Sequence, residues 1–149
     1  MILAADIPEP APLWLWFAIP VAFAIVFPTI WCFVCFLISW TGGWHTLSKK
    51  YAAGERKPVG PEHSGVVGQI GVASYKFTLT VTIAPDGFFL EVMPFFRPGH
   101  PRLFIPWDEI TERDSIQFLR WEMVRLRIGN PKVASIALAL PARLFDRPA

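Results

Sequence analysis

From Pro10 to Trp44 the chain carries no charged side chain, and most of that run is Leu, Ile, Val, Phe, Trp or Ala. About 20 apolar residues are enough to cross a bilayer core, and the stretch from Leu13 to Trp40 exceeds that. Fifteen of its residues are Leu, Ile, Val or Phe. Each contributes roughly −0.3 to −0.6 kcal/mol to insertion at a helix centre, for a sum on the order of −5 to −9 kcal/mol. That sum is an upper bound, because side chains near the ends contribute less. No Asp, Lys or Arg subtracts from it. The expectation is a transmembrane helix over residues 13–40, after an N-terminal arm at 1–12.

The flanks give an orientation. The arm holds Asp6 and Glu9 and no Lys or Arg, whereas Lys49, Lys50, Arg56 and Lys57 follow the span, opposed by Glu55. Basic residues beside a membrane end mark the cytoplasmic side, which puts the N-terminus outside and the C-terminal part in the cytoplasm. Trp14 and Trp16 at one end, with Trp40 and Trp44 at the other, match aromatic belts at headgroup depth. A cleaved signal peptide lacks support: the basic n-region is missing, the apolar run is too long, and no small-residue cleavage site precedes the basic segment.

Within the span, Pro20 and Pro28 each remove a backbone hydrogen bond and predict a bend. No Gly-x-x-x-Gly favours self-association through the helix. Cys32 and Cys35 form a Cys-x-x-Cys pair, but no second Cys or His pair completes a tetrahedral zinc site, so packing at i and i+3 is the better reading. No metal and no cofactor is expected. Gly42-Gly43 can hinge the chain. Trp44, Leu47 and Tyr51 then recur at helical spacing with Lys49 and Lys50 directed elsewhere, which predicts a short amphipathic helix in the membrane interface; a plain extension of the spanning helix is the alternative. Residues 41–61 are thus read as a juxtamembrane segment and linker.

Residues 62–149 read as a separate β domain. Tyr75, Phe77, Leu79, Val81 and Ile83 alternate with Lys and Thr, the pattern of a half-buried strand. Ala84-Pro85-Asp86-Gly87 supplies a turn and Phe88 to Met93 returns. Pro98-Gly99-His100-Pro101 is the next tight turn, before a short strand at Leu103–Ile105. Further strands are expected at Val66–Val72, Ile116–Trp121, Met123–Ile128 and Ala134–Leu140. Six or seven short strands in under 90 residues imply a small, mainly antiparallel sheet or partly open barrel.

The stretch Gly43-Trp44-His-Thr-Leu47-Ser-Lys-Lys-Tyr51, then Gly87-Phe-Phe-Leu90 and Phe96-Arg97-Pro-Gly99-His100-Pro101-Arg-Leu103-Phe-Ile105-Pro106-Trp107-Asp-Glu109-Ile110, resembles a group of uncharacterised bacterial single-pass membrane proteins. Their soluble part is similar to bacterial PH/GRAM-like domains. The resemblance covers roughly Gly42 to Ile110 and implies an architecture rather than an activity. Full PH folds close with a C-terminal helix, whereas Pro141-Ala-Arg-Leu-Phe-Asp-Arg-Pro148 has room for one turn, so that helix is expected to be lacking.

No constellation for catalysis stands out. His45, His63 and His100 lie far apart, and His100, between Gly99 and Pro101, is placed to order its turn. No nucleophile elbow, phosphate loop or dinucleotide fingerprint occurs. Arg113, Arg120, Arg125 and Arg127, with Arg143 and Arg147, make the second half Arg-rich and suggest a basic face for a partner or lipid headgroups. Residues 60–149 nevertheless hold ten basic and nine acidic side chains, too balanced for nucleic-acid binding. Two functions remain. One is a non-catalytic accessory or scaffold subunit of an integral membrane protein complex, with a respiratory or photosynthetic assembly as one such host that no residue selects. The other is a PH-like module on anionic lipid headgroups of the bilayer.

Overall fold

The computed structural model describes residues 9–146; the first eight residues of the expected N-terminal arm, and Arg147, lie outside the described residues. The chain divides into two compact units, Met1–Phe33 and Val34–Ala149. Helix α1 spans Leu13–Gly42 and continues through Pro20 and Pro28. In the first unit Phe23, Phe27 and Trp31 lie one turn apart, with ring centroids 5.1 and 6.0 Å from each other in succession. The Thr29 hydroxyl donates to the Ile25 carbonyl at 2.7 Å, which satisfies it inside an apolar run. Its large apolar side chains, from Trp14 and Trp16 to Ile30, are exposed around the helix. A helix that is apolar all round and buries no stripe in its own unit is long and apolar enough to cross a membrane.

In the second unit α1 stops at Gly42, and Gly43 turns the chain with φ 93°, a left-handed conformation that glycine adopts without strain. Gly42 is itself required by contact: an added Cβ would lie 2.4 Å from that of Ala73. Helix α2 follows at Trp44–Tyr51. Seven strands come next: β1 (Glu62–Ile70), β2 (Ala73–Ile83), β3 (Gly87–Val92), β4 (Leu103–Pro106), β5 (Ile110–Phe118), β6 (Trp121–Ile128) and β7 (Ala134–Leu138). They form one antiparallel sheet in the order β4-β3-β2-β1-β7-β6-β5, curled into a half-barrel. The hairpin expected at Tyr75–Met93 is present as β2 and β3, with the Ala84 amide donating to the Gly87 carbonyl at 2.8 Å across the turn.

Two strand expectations are corrected. Strand β5 begins at Ile110, six residues before the expected Ile116, and the chain reverses at Leu119–Arg120. Its Thr-Glu-Arg-Asp-Ser stretch shows no apolar alternation because β5 is an edge strand, exposed over residues 111–115. Phe77 does not face inward with Tyr75 and Leu79. The pairs Gly68↔Tyr75 and Val66↔Leu79 set two steps of β1 against four of β2, and in that bulge Phe77 takes φ 57° and points out. Leu79 and Leu138 already fill the space over Gly68 on the inner face.

The inner face of the half-barrel is the core. Leu79, Val81, Phe88, Leu90, Leu103, Ile105, Val124, Leu126, Ile128, Ile136 and Leu138 are all fully buried. An open sheet cannot cover such a face alone, and two short helical pieces do so. Helix α2 lies against β4, and a 3-10 turn at Ala142–Phe145 lies against β5 and β6. From α2 come Trp44 and Leu47, both fully buried, and Tyr51; from the turn comes Phe145, edge-on to Phe88 at 5.2 Å. The Trp44 indole N–H donates to the Pro101 carbonyl at 2.9 Å, so its polar atom is satisfied where it is buried. The expected single turn at the C-terminus is therefore present, and its Phe145 helps to close the core.

This overturns the interfacial reading of Trp44, Leu47 and Tyr51. The amphipathic face of α2 is spent on the sheet's interior, which removes these three side chains from any contact with lipid. The compact unit accordingly starts at Val34 rather than at residue 62. Truncating Trp44 to Ala should lower the unfolding free energy by about 3–5 kcal/mol, as for other buried aromatic truncations. Trp40→Ala, at an exposed site, should change it by less than about 0.5 kcal/mol. Denaturant unfolding of the full chain in nanodiscs measures both, and equally small effects would place Trp44 outside the core.

Candidate partner-binding surface

Strand alternation sends Arg125 and Arg127 to the outer face of the sheet, because Val124, Leu126 and Ile128 of the same strand fill the core. Across the ladder, Asp114 stands opposite Arg125 and Glu112 opposite Arg127. On the other side of β6 the neighbours are small, Ala137 beside Arg125 and Ser135 beside Arg127. The result is a groove of about 350 Å³ in which Arg125, Arg127 and Lys132 share the walls with Glu112 and Asp114. Arg127 Nη1 donates to Glu112 Oε1 at 2.9 Å, an exposed pair of the kind worth at most about 1 kcal/mol to folding. Such a face contributes little to stability and presents both charge signs on the surface.

The four arginines do not form one basic face. Arg113 lies in register with Leu126, on the opposite side of β5 from Glu112 and Asp114, and Arg120 sits in the β5–β6 turn. Only Arg125 and Arg127 are brought together. The carboxylates and Lys132 in the groove escaped the sequence reading. The sign of them was the spacing by two of Glu112 and Asp114 on one strand and Arg125 and Arg127 on the next.

Of the expected membrane-interface residues, Trp14, Trp16 and Trp40 are exposed, as is Lys49. Lys50 instead holds α2 to the turn between β4 and β5. Its ammonium donates to Glu109 Oε2 at 3.2 Å, and the Tyr51 hydroxyl donates to the same oxygen at 2.6 Å. The hydrogen bond from Tyr51, followed by that from Lys50, keeps the Glu109 carboxyl below its ordinary range. Asp108 and Glu109 lie in a 3-10 turn, Trp107–Glu109.

A second cluster surrounds His100, which is buried. Its Nδ1 lies 3.0 Å from the Pro98 carbonyl, an acceptor only, so Nδ1 carries the proton and Nε2 accepts from the Tyr75 hydroxyl at 2.9 Å. The Trp44 ring meets the imidazole edge-on at 5.1 Å. Cys35, Ile38, Tyr75, Phe96 and His100 border a cavity of about 240 Å³. Cys35 is thus packed by the β unit rather than by lipid, and neither cysteine forms a disulfide. The Ser39 hydroxyl donates to the Gly99 carbonyl, fixing the same turn from α1. Burial raises the Tyr75 phenol and lowers the His100 imidazolium from their ordinary values. Both polar groups are saturated by one another and by the backbone, the arrangement of a structural linchpin. Among the described residues no three His, Cys, Asp or Glu side chains converge as metal ligands.

Because His100 folds neutral and its folded pKa is depressed, the unfolded chain takes up the proton first as pH falls. Its contribution is present above the ordinary value of 6.5 and is lost as pH falls below it toward the lower folded value. Denaturant unfolding between about pH 5 and 8, on either side of the ordinary histidine value, should show stability declining on the acid side. His100→Gln, which retains an acceptor for Tyr75, should flatten that slope; an unchanged slope would assign it elsewhere.

Compared with known proteins, the chain matches no family model, no curated protein sequence and no solved structure.

Proposed function

We propose that this chain is a non-catalytic, membrane-anchored accessory subunit of a larger integral membrane complex. In this reading α1 crosses a bacterial inner membrane with the N-terminus outside, and the half-barrel, a PH/GRAM-like module without a C-terminal helix, meets partner proteins on the cytoplasmic side. The observation that carries it is the mixed-sign groove on the outer face of β5, β6 and β7. Anionic headgroups suit that groove poorly, because Glu112 and Asp114 repel them and Arg127 is already engaged by Glu112. A polar protein segment carrying both signs suits it well, since complementary charges fix register and exclude wrong partners. The apolar, all-round exposed helix supplies a second contact, to neighbouring transmembrane helices.

The test is recovery of the tagged full-length chain from its native membrane in several mild detergents, followed by native mass measurement. The expected result is a defined assembly heavier than the 16.8 kDa chain. Reversing charge in the groove with Arg125→Glu and Lys132→Glu should cut the co-purified partner at least about tenfold, the loss expected from roughly 1.4 kcal/mol of binding. A lone monomer in every detergent contradicts the proposal.

A further inference from the structure

Two non-glycine residues among those described have positive φ, Phe77 and Leu119, both at 57°. For large apolar side chains this backbone is unfavourable, and strain of this kind persists where the surrounding structure or a function demands it. Here both strained residues serve the same place. Phe77 in the β2 bulge and Leu119 in the β5–β6 turn border a groove of about 240 Å³ together with Trp121. The Phe77 and Trp121 rings meet edge-on, with centroids 6.3 Å apart. Yet the three remain 59%, 83% and 50% exposed. Folding therefore sends greasy side chains outward at a conformational cost, where polar residues would have been cheaper.

Cations flank them. Lys76 borders the groove and Arg120 lies between Leu119 and Trp121, both exposed and neither in an ion pair among the described residues. Glu122 alternates to the other face of β6, in register with Gln117. Lys76 also borders the cavity that holds Cys35 and Ile38, the part of α1 that belongs to the β unit. Aromatic and aliphatic side chains with Lys76 on the rim and Arg120 in the adjoining turn suit the boundary between acyl chains and anionic headgroups.

We propose that the Phe77–Leu119–Trp121 groove, with Lys76 and Arg120, seats in the anionic headgroup layer of the membrane that anchors the chain. This rests on the membrane anchoring proposed above and adds a second, peripheral contact to it. A tether makes such a contact effective even when it is weak in isolation, because the lipid surface is always within reach.

The test places an environment-sensitive NBD dye at Leu119→Cys in the full chain, with Cys32→Ser, reconstituted into nanodiscs of phosphatidylcholine with or without phosphatidylglycerol. Cys35 is buried and escapes the label. The expected result is a blue-shifted dye quenched by lipids carrying a shallow doxyl group, at least twofold more strongly with phosphatidylglycerol. Lys76→Glu with Arg120→Glu abolishes the difference between the two lipids, and the dye at Lys57→Cys stays water-like in both. A dye at position 119 as water-like as at 57 overturns the proposal. So does equal quenching in the two lipids, or a blue shift that needs a second protein in the disc and no doxyl contact. A chain that fails to enter the disc refutes the anchor itself, a result distinct from these.

Discussion

Burial of Trp44 and Leu47 is the interaction on which the rest of this structure depends. A seven-stranded sheet that curls halfway has one apolar face and no second sheet to cover it. The chain supplies the cover from both sides of the sheet in sequence, α2 before β1 and the Phe145 turn after β7. Each fully buried large apolar side chain is worth roughly 1.5–3 kcal/mol, so the two plugs together match a large share of the net stability of a small domain, about 5–15 kcal/mol. The tight passage at Gly42 and Gly43 follows from this need: α2 must start beside Ala73 in order to reach the interior.

Once the inner face is committed to packing, the outer face is free to vary, and it is divided. One part is a charged groove whose walls carry Arg125, Arg127 and Lys132 against Glu112 and Asp114; the other is the apolar groove of Phe77, Leu119 and Trp121. Neither is needed to hold the fold. Exposed cross-strand ion pairs add little, and the apolar groove is maintained against backbone preference at two residues. Features that folding does not require are where an account of function has to look.

Sequence periodicity carried the β2–β3 hairpin, its Ala84–Gly87 turn and the apolar length of α1 because each depends on local pattern. It misplaced Phe77, whose alternation with Tyr75 and Leu79 is unbroken, because the bulge arises in the pairing with β1 and leaves no local pattern in β2. It missed the first half of β5 because an edge strand exposed on residues 111–115 shows no pattern to read. Helix α2 was legible as amphipathic, yet an apolar stripe does not say whether lipid or protein will cover it, and here protein does. The arginines misled for a related reason. Counting them by sequence ignored the strand faces, which separate Arg113 from Arg125 and Arg127 and leave Arg120 in a turn.

The decisive question is whether α2 belongs to the folded interior. Hydrogen exchange on the full chain in nanodiscs answers it residue by residue, since amides released only by global opening share one free energy. The account predicts that the amides of Leu47 to Tyr51 exchange together with those of β3 and β6, at the rate of whole-domain unfolding. Exchange of that helix orders of magnitude faster, while β3 and β6 stay protected, would show a surface helix lying on lipid and contradict the account.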